Sequence, residues 1–263
     1  MYSWEETMIT KNDLLQQLQA SNINTRGTLM VHSSMKAIGQ VDGGPATVID
    51  ALCQYMKDGL LLLPTHSWDE WNLKDNVFNV RTEKACVGLL PNTFLLRDDV
   101  VRSLHPTHSV AAYGKRKIDY TDKDKTIIQR GDVLTPCPRE GCFGSLYDED
   151  SQILFIGATL QKNTYIHSIE EWLTIPERLA EKPRAIKVVD YDGARYDVDV
   201  LPHNNSRGSV SQNYDRIESA LFEKNIATTF ALGNASCKLL QVKEMTELVL
   251  EILKENPDYF GFR

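Results

Sequence analysis

An α/β fold is what this sequence predicts, on three observations. Two short aliphatic runs, Thr28 to Val31 and Leu60 to Leu63, flank a stretch whose apolar residues recur at helical spacing. Further short apolar runs, Val110 to Tyr113 and Gln152 to Ile156, read as buried strands. The dipeptide Asp192-Gly193, which accepts positive φ, separates Ile186 to Val189 from Tyr196 to Val200 and marks an antiparallel hairpin.

Each element has a local reason. Lys11 to Ala20 reads as a helix behind a Thr10 or Asn12 cap. After the strand from Thr28 and a loop from Met35 to Gly44, Pro45 stands where a first helical residue is favoured, with Val48, Ile49, Leu52, Tyr55 and Met56 on one face. Gly59 closes that helix. The strand–helix–strand unit predicts two parallel strands with a right-handed crossover. Thr65 to Lys84 lacks a clean period and reads as a long functional loop, and a short helix follows with Pro91 at its first position and Leu96 near its end. Ile217 to Phe222 and Met245 to Leu253 read as helices, with strands at Thr229 to Leu232 and Lys238 to Gln241. No linker, repeat or low-complexity segment interrupts residues 1–263, so one domain is expected.

Composition narrows the function classes. The 263 residues carry 29 Lys plus Arg against 36 Asp plus Glu, a net charge of −7 that argues against a nucleic-acid binder. With 42% hydrophobic and 25% charged residues the chain is ordinary for a globular protein. The longest aliphatic run, Leu60 to Leu63, is far short of the roughly 20 residues of a membrane-spanning helix, so no membrane association is expected. The first residues hold two adjacent glutamates and no apolar core of a secretory signal, which predicts a cytoplasmic location. Cysteines 53, 86, 137, 142 and 237 are odd in number and scattered, unlike a disulfide framework. Cys137 and Cys142 form a C-x4-C without the second pair of a zinc site.

Six histidines carry most of the chemical interest, because imidazole titrates near neutral pH. Asn163-Thr164 can cap a helix that places His167 in its first turn, with Glu170 and Glu171 three and four residues on, where helical side chains meet. A carboxylate there holds one ring nitrogen and leaves the other to accept a proton; a surface ion pair is the plainer reading of the same spacing. His105 and His108 flank Pro106 and, with His66, match metal ligands by type, yet no H-E-x-x-H pattern accompanies them and a structural turn fits better. Ser33 and Ser109 are hydroxyls that a hydrolase would use, although neither lies in G-x-S-x-G. The stretch HSSMKAIGQVDGGP runs from a strand end to a helix start, a place that suits a phosphorylated cofactor.

Together VHSSMKAIG, GLLLLPTHS, RSLHPTHSVAAYG, ILFIGATLQKNTYIHSIEE and LGNASCKLLQ, in this order, resemble the aminoglycoside 3-N-acetyltransferase family, antibiotic N-acetyltransferases distinct from the GNAT fold. The likeness runs from about Thr28 to Leu250. It implies a single-domain α/β/α sandwich with a central mixed sheet, using acetyl-CoA as co-substrate and no metal. By its N-T-x-x-H-x-x-E motif it implies His167 as general base and Glu170 as its partner. The H-S-S strand end implies a CoA-binding loop at Val31, His32, Ser33, Ser34 and Met35, with Ser109 of the H-P-x-x-S motif as a further cofactor contact. His105 of that motif is placed with the acceptor site, and the carboxylates Asp69, Glu70 and Glu171 favour a cationic amine there. The expectation is therefore direct acetyl transfer to an amine of an aminoglycoside or similar cationic amine, and a homodimer is compatible with it. A catalytically silent CoA-binding protein, or a hydrolase using Ser33 or Ser109, is the alternative.

Overall fold

The computed structural model describes residues 8–68 and 76–261. Among these, strands β1 (Thr28–Ser33), β2 (Leu60–Pro64), β3 (Val77–Asn79), β4 (Val101–Arg102), β5 (Val110–Gly114), β6 (Gln152–Ile156), β7 (Arg184–Val189), β8 (Arg195–Val200), β9 (Ala227–Leu232) and β10 (Ala235–Gln241) form two sheets. The larger has the order β4-β5-β2-β1-β6-β10-β9, and the smaller β3-β7-β8. The predicted parallel pair is present: β1 pairs with β2 through Thr28↔Leu60 and Met30↔Leu62. β6 joins the other side of β1 in parallel, while β5, β10, β9 and β4 run antiparallel to their neighbours, so the sheet is mixed.

Central strands that are apolar on both faces must be covered on both. Met30, Leu62, Ile153 and Phe155 enter one core with residues of α7 (Tyr165–Trp172) and α9 (Val242–Glu255). Leu29, Val31, Leu61, Leu63 and Leu154 point the other way, against α1 (Lys11–Gln19), α3 (Gly44–Tyr55) and α4 (Leu89–Leu95). The result is the α/β/α sandwich. A third core sits between the small sheet and α5 (Lys117–Arg130), where Phe78, Ile186 and Val188 meet Ile127 and Ile128.

Local reasons hold with adjustments. Thr10 caps α1 in a two-way box: its N–H donates to Asp13 Oδ2 at 2.8 Å and its Oγ1 accepts from Asp13 N at 3.2 Å. Pro91 falls third in α4 rather than first; an N–H in the first turn has no intrahelical acceptor, so proline costs nothing there. The long loop after β2 contains β3. The helix α5 escaped the periodicity reading because half of its sequence, KIDYTDKDKTIIQR, is charged and only Tyr120, Ile127 and Ile128 form its buried apolar face. At the carboxyl end of β6 the chain turns at Gly157, φ +59°, where an added Cβ would lie 2.2 Å from Ala37 Cβ. That close approach brings the β6 exit against α2 (Met35–Ile38), beside the site. Among the described residues no helix is long and apolar enough to cross a membrane.

Candidate active site

A cavity of about 580 Å³ opens at the carboxyl ends of the parallel strands, where open α/β sheets bind ligands. Val31, His32 and Ser33 come from the end of β1, Pro64 and His66 from the end of β2, and Ala158 from just after β6. Thr164 and His167 enter from the start of α7, and His203 and Ser209 from the segment after β8.

His167 sits at the centre of a hydrogen-bonded group. Its Nδ1 lies 3.1 Å from Glu170 Oε2, and the Tyr214 hydroxyl lies 2.6 Å from both atoms. Arg178 Nε donates to the other Glu170 oxygen at 2.7 Å. Glu170 is 1% exposed. Burial works to raise its carboxyl, but hydrogen bonds from His167 and Tyr214 and the Arg178 charge outweigh it, and the group titrates below its ordinary value. The carboxylate accepts the tyrosine proton on Oε2, which assigns the imidazole proton to Nδ1. His167 Nε2 then carries the lone pair, and among the described residues nothing in the protein hydrogen-bonds to it.

The remaining histidines gather around this one. Ring centroids link His66 to His108 at 4.8 Å, His108 to His203 at 5.1 Å and His203 to His167 at 4.0 Å. Burial, reinforced by the charges of neighbouring histidines and, for His66, of Arg102, holds His66, His108 and His203 well below the usual imidazole value. His32, stacked on Phe155 at 5.0 Å, is pushed down to about 3 by burial. The wall is therefore built of neutral imidazoles. Among the described residues, His32 Nε2, His66 Nδ1 and His203 Nε2 are buried without a hydrogen-bond partner. Among the described residues no group of three or more His, Cys, Asp or Glu is arranged to hold a metal ion.

Comparison with known proteins decides the family. The family model described as aminoglycoside 3-N-acetyltransferase matches residues 30–254. The chain belongs to this family. It is 26% identical over 262 residues to aminoglycoside N(3)-acetyltransferase IV of Salmonella sp, covering 98% of this chain and 91% of that protein. Its fold is similar to that of a histidine-to-alanine mutant of the aminoglycoside acetyltransferase AAC(3)-IVa in complex with a gentamicin: TM-score 0.80, 23% identity, 99% of this chain and 94% of that one. It is also similar to AAC-IIIb in a binary complex with CoASH: TM-score 0.78, 19% identity, 95% and 97% covered. The aminoglycoside 3-N-acetyltransferases are acyltransferases that draw acetyl from acetyl-CoA, and this chain is one of that enzyme class.

The structure distributes the residues expected for such a family member unevenly. Val31, His32 and Ser33 line the cavity with His167. Ser34 instead caps α2, its N–H donating to Ile156 O at 2.9 Å, and neither it nor Met35 is among the lining residues. Ser109 is fully buried behind the wall; its hydroxyl donates to Thr65 O at 2.8 Å and accepts from Arg102 Nε at 2.9 Å. His105 holds a turn: Nε2 donates to Thr135 O at 2.8 Å, and Nδ1 accepts the His108 N–H at 3.0 Å. Glu171 faces the same 135–137 segment, accepting the Cys137 N–H at 3.0 Å, and burial pushes its carboxyl up to about 7. Asp69 and Glu70 lie outside the described residues. The cysteines of the C-x4-C are buried, with Cys137 Sγ directed at Thr164 O and Cys142 Sγ at Tyr120 O.

Thr164 precedes α7 but makes no side-chain cap; its hydroxyl meets His66 Nε2 at 3.2 Å instead. Tyr214, Arg178 and His203 were not found from sequence. Tyr214 sits in a 3-10 turn, Val210–Ile217, whose residues give no periodic signal, and Arg178 lies in an irregular segment.

Proposed function

We propose that this chain transfers acetyl from acetyl-CoA directly to an amine of an aminoglycoside or similar cationic amine, with His167 as general base and Glu170 as its orienting carboxylate. The observation that carries the reading is the closed His167–Glu170–Tyr214 group, which fixes the proton on Nδ1 and leaves Nε2 for the cavity. Relatives solved with a gentamicin and with CoASH support the two substrate classes.

Bound acetyl-CoA supplies a thioester carbonyl as the electrophile. An ammonium has no lone pair, so Nε2 of His167 takes a proton from the acceptor before or during attack. The imidazolium that results is neutralised by Glu170 across 3.1 Å, and Arg178 keeps Glu170 in place. Burial and mutual repulsion oppose a charge on His108 and His203, so the imidazoles beside His167 stay neutral. Ser33, which lines the cavity, offers a hydroxyl to the negative charge that develops on the carbonyl oxygen. The fit to the donor is chemical: His32 Nε2 and His66 Nδ1 are buried and unpartnered among the described residues, and an arm bearing amide N–H and C=O groups would bring partners of that kind.

The test is thiol release from acetyl-CoA by wild type and His167→Ala, with aminoglycosides, polyamines and amino sugars as acceptors. One or more amines should turn over, and the substitution should lower kcat by at least about 100-fold, the value of a general base. Equal turnover by both proteins overturns the assignment of His167.

A further inference from the structure

The cysteines differ in position. Cys53, Cys137, Cys142 and Cys237 are buried, whereas Cys86 is partly exposed and lines the cavity that holds His167. The Cys86 N–H donates to His66 O at 2.8 Å, and His66 Nε2 meets Thr164 Oγ1 at 3.2 Å, three residues before His167. One continuous wall thus joins the thiol to the proposed base. Two independent features accompany it. His66, a residue of the cavity wall, is 3% exposed, and its Nδ1 is buried with no hydrogen-bond partner among the described residues. Behind the wall, Arg102 is 1% exposed and donates to the neutral acceptors Glu83 O, Thr65 O and Ser109 Oγ. Arg102 and Cys86 interact electrostatically across this wall.

We propose that Cys86 is a covalent thiolation site for the disulfide of coenzyme A, and that the adduct blocks the acetyl-donor cavity. The inference rests on the reading that this cavity takes the coenzyme. The Cys86 thiol loses its proton to solvent, and the thiolate Sγ attacks one sulfur of the coenzyme A disulfide. A new Sγ–S bond forms, the original S–S bond breaks, and the second coenzyme A leaves with the electron pair as thiolate. The oxidant is the disulfide itself, so no other reactant enters. The enzyme's own product is the thiol that reverses the reaction, which makes the block responsive to the ratio of coenzyme A thiol to disulfide.

The full chain, free of reductant, is incubated with coenzyme A disulfide and, separately, with glutathione disulfide at equal concentration. Intact mass and peptide mapping should show one coenzyme A per chain, on Cys86, forming at least about tenfold faster than the glutathione adduct because binding raises the local concentration of the disulfide. Saturating acetyl-CoA should slow it by a similar factor, Cys86→Ser should take up none, and dithiothreitol should restore thiol-release activity. An adduct on another cysteine, equal rates with the two disulfides, or no protection by acetyl-CoA overturns the proposal. Calorimetric titration of unmodified protein with acetyl-CoA separates the two readings: binding without an adduct removes the Cys86 inference alone, and absence of binding removes the donor site with it.

Discussion

Replacing Glu170 with glutamine keeps the shape and one acceptor oxygen but removes the charge opposite the imidazolium. Coulomb's law at an effective dielectric near 20 gives about 3 kcal/mol for charge centres about 5 Å apart, a separation that adds the half-widths of ring and carboxylate to the hydrogen bond. Since about 1.4 kcal/mol is one decade of rate, kcat should fall by about two orders of magnitude. Glu170 is not among the residues lining the cavity, so acetyl-CoA binding should stay within about threefold of wild type. The change also leaves the Arg178 guanidinium, 9% exposed, without the carboxylate it meets at 2.7 Å and with the exposed Asp258, 3.6 Å away, as its remaining counter-charge among the described residues. Breaking a buried pair from one side costs about 3 kcal/mol of stability, so urea unfolding is measured alongside. The double variant Glu170→Gln with Arg178→Gln removes the stranded cation: it should regain stability while kcat stays more than about tenfold down, because the imidazolium still lacks its counter-charge. A folded Glu170→Gln enzyme within about threefold of wild-type kcat refutes the reasoning, since no charge stabilisation of that size would then operate.

Two further outcomes follow from the same geometry. Tyr214→Phe removes the hydroxyl 2.6 Å from both His167 Nδ1 and Glu170 Oε2, and kcat for thiol release should fall about tenfold with the KM for acetyl-CoA unchanged. The second concerns acid stability. His32 is held to about 3 in the folded chain by burial, against about 6.5 unfolded, so its contribution is complete above pH 6.5 and is lost as pH falls from there towards 3. At pH 5 that loss is about 2 kcal/mol, and His32→Phe, which keeps a ring against Phe155, should reduce the drop in urea stability between pH 7 and pH 5 by about that amount.

The legible parts of the fold were those set by a few neighbours in sequence. The β1–α3–β2 unit was readable because Leu29 to Val31 and Leu60 to Leu63 are buried on both faces and so are apolar without interruption. Helix α5 packs only a narrow stripe against the small sheet, and its charged remainder hides that stripe from a periodicity argument.

The same division runs through the site. His167 and Glu170 lie one helical turn apart, so their meeting depends only on α7 being a helix, and sequence could state it. Spacing alone could not choose between Glu170 and Glu171. The two differ by about 100° around the axis, and tertiary contacts decide: Tyr214 and Arg178 bracket the first, while the Cys137 N–H and the Thr135 side chain take the second. Those contacts come from segments whose order in sequence says nothing about proximity in space. His105 shows the converse, a residue carried by a motif whose ring nitrogens are both taken: Nε2 by Thr135 O, and Nδ1 by the Thr107 and His108 N–H groups beside the Thr107 hydroxyl. A motif fixes which residues recur together. Which of them face the reacting atoms is fixed by the three-dimensional count of hydrogen-bond partners: here His167 keeps Nε2 uncommitted among the described residues, and His105 has no nitrogen left to offer.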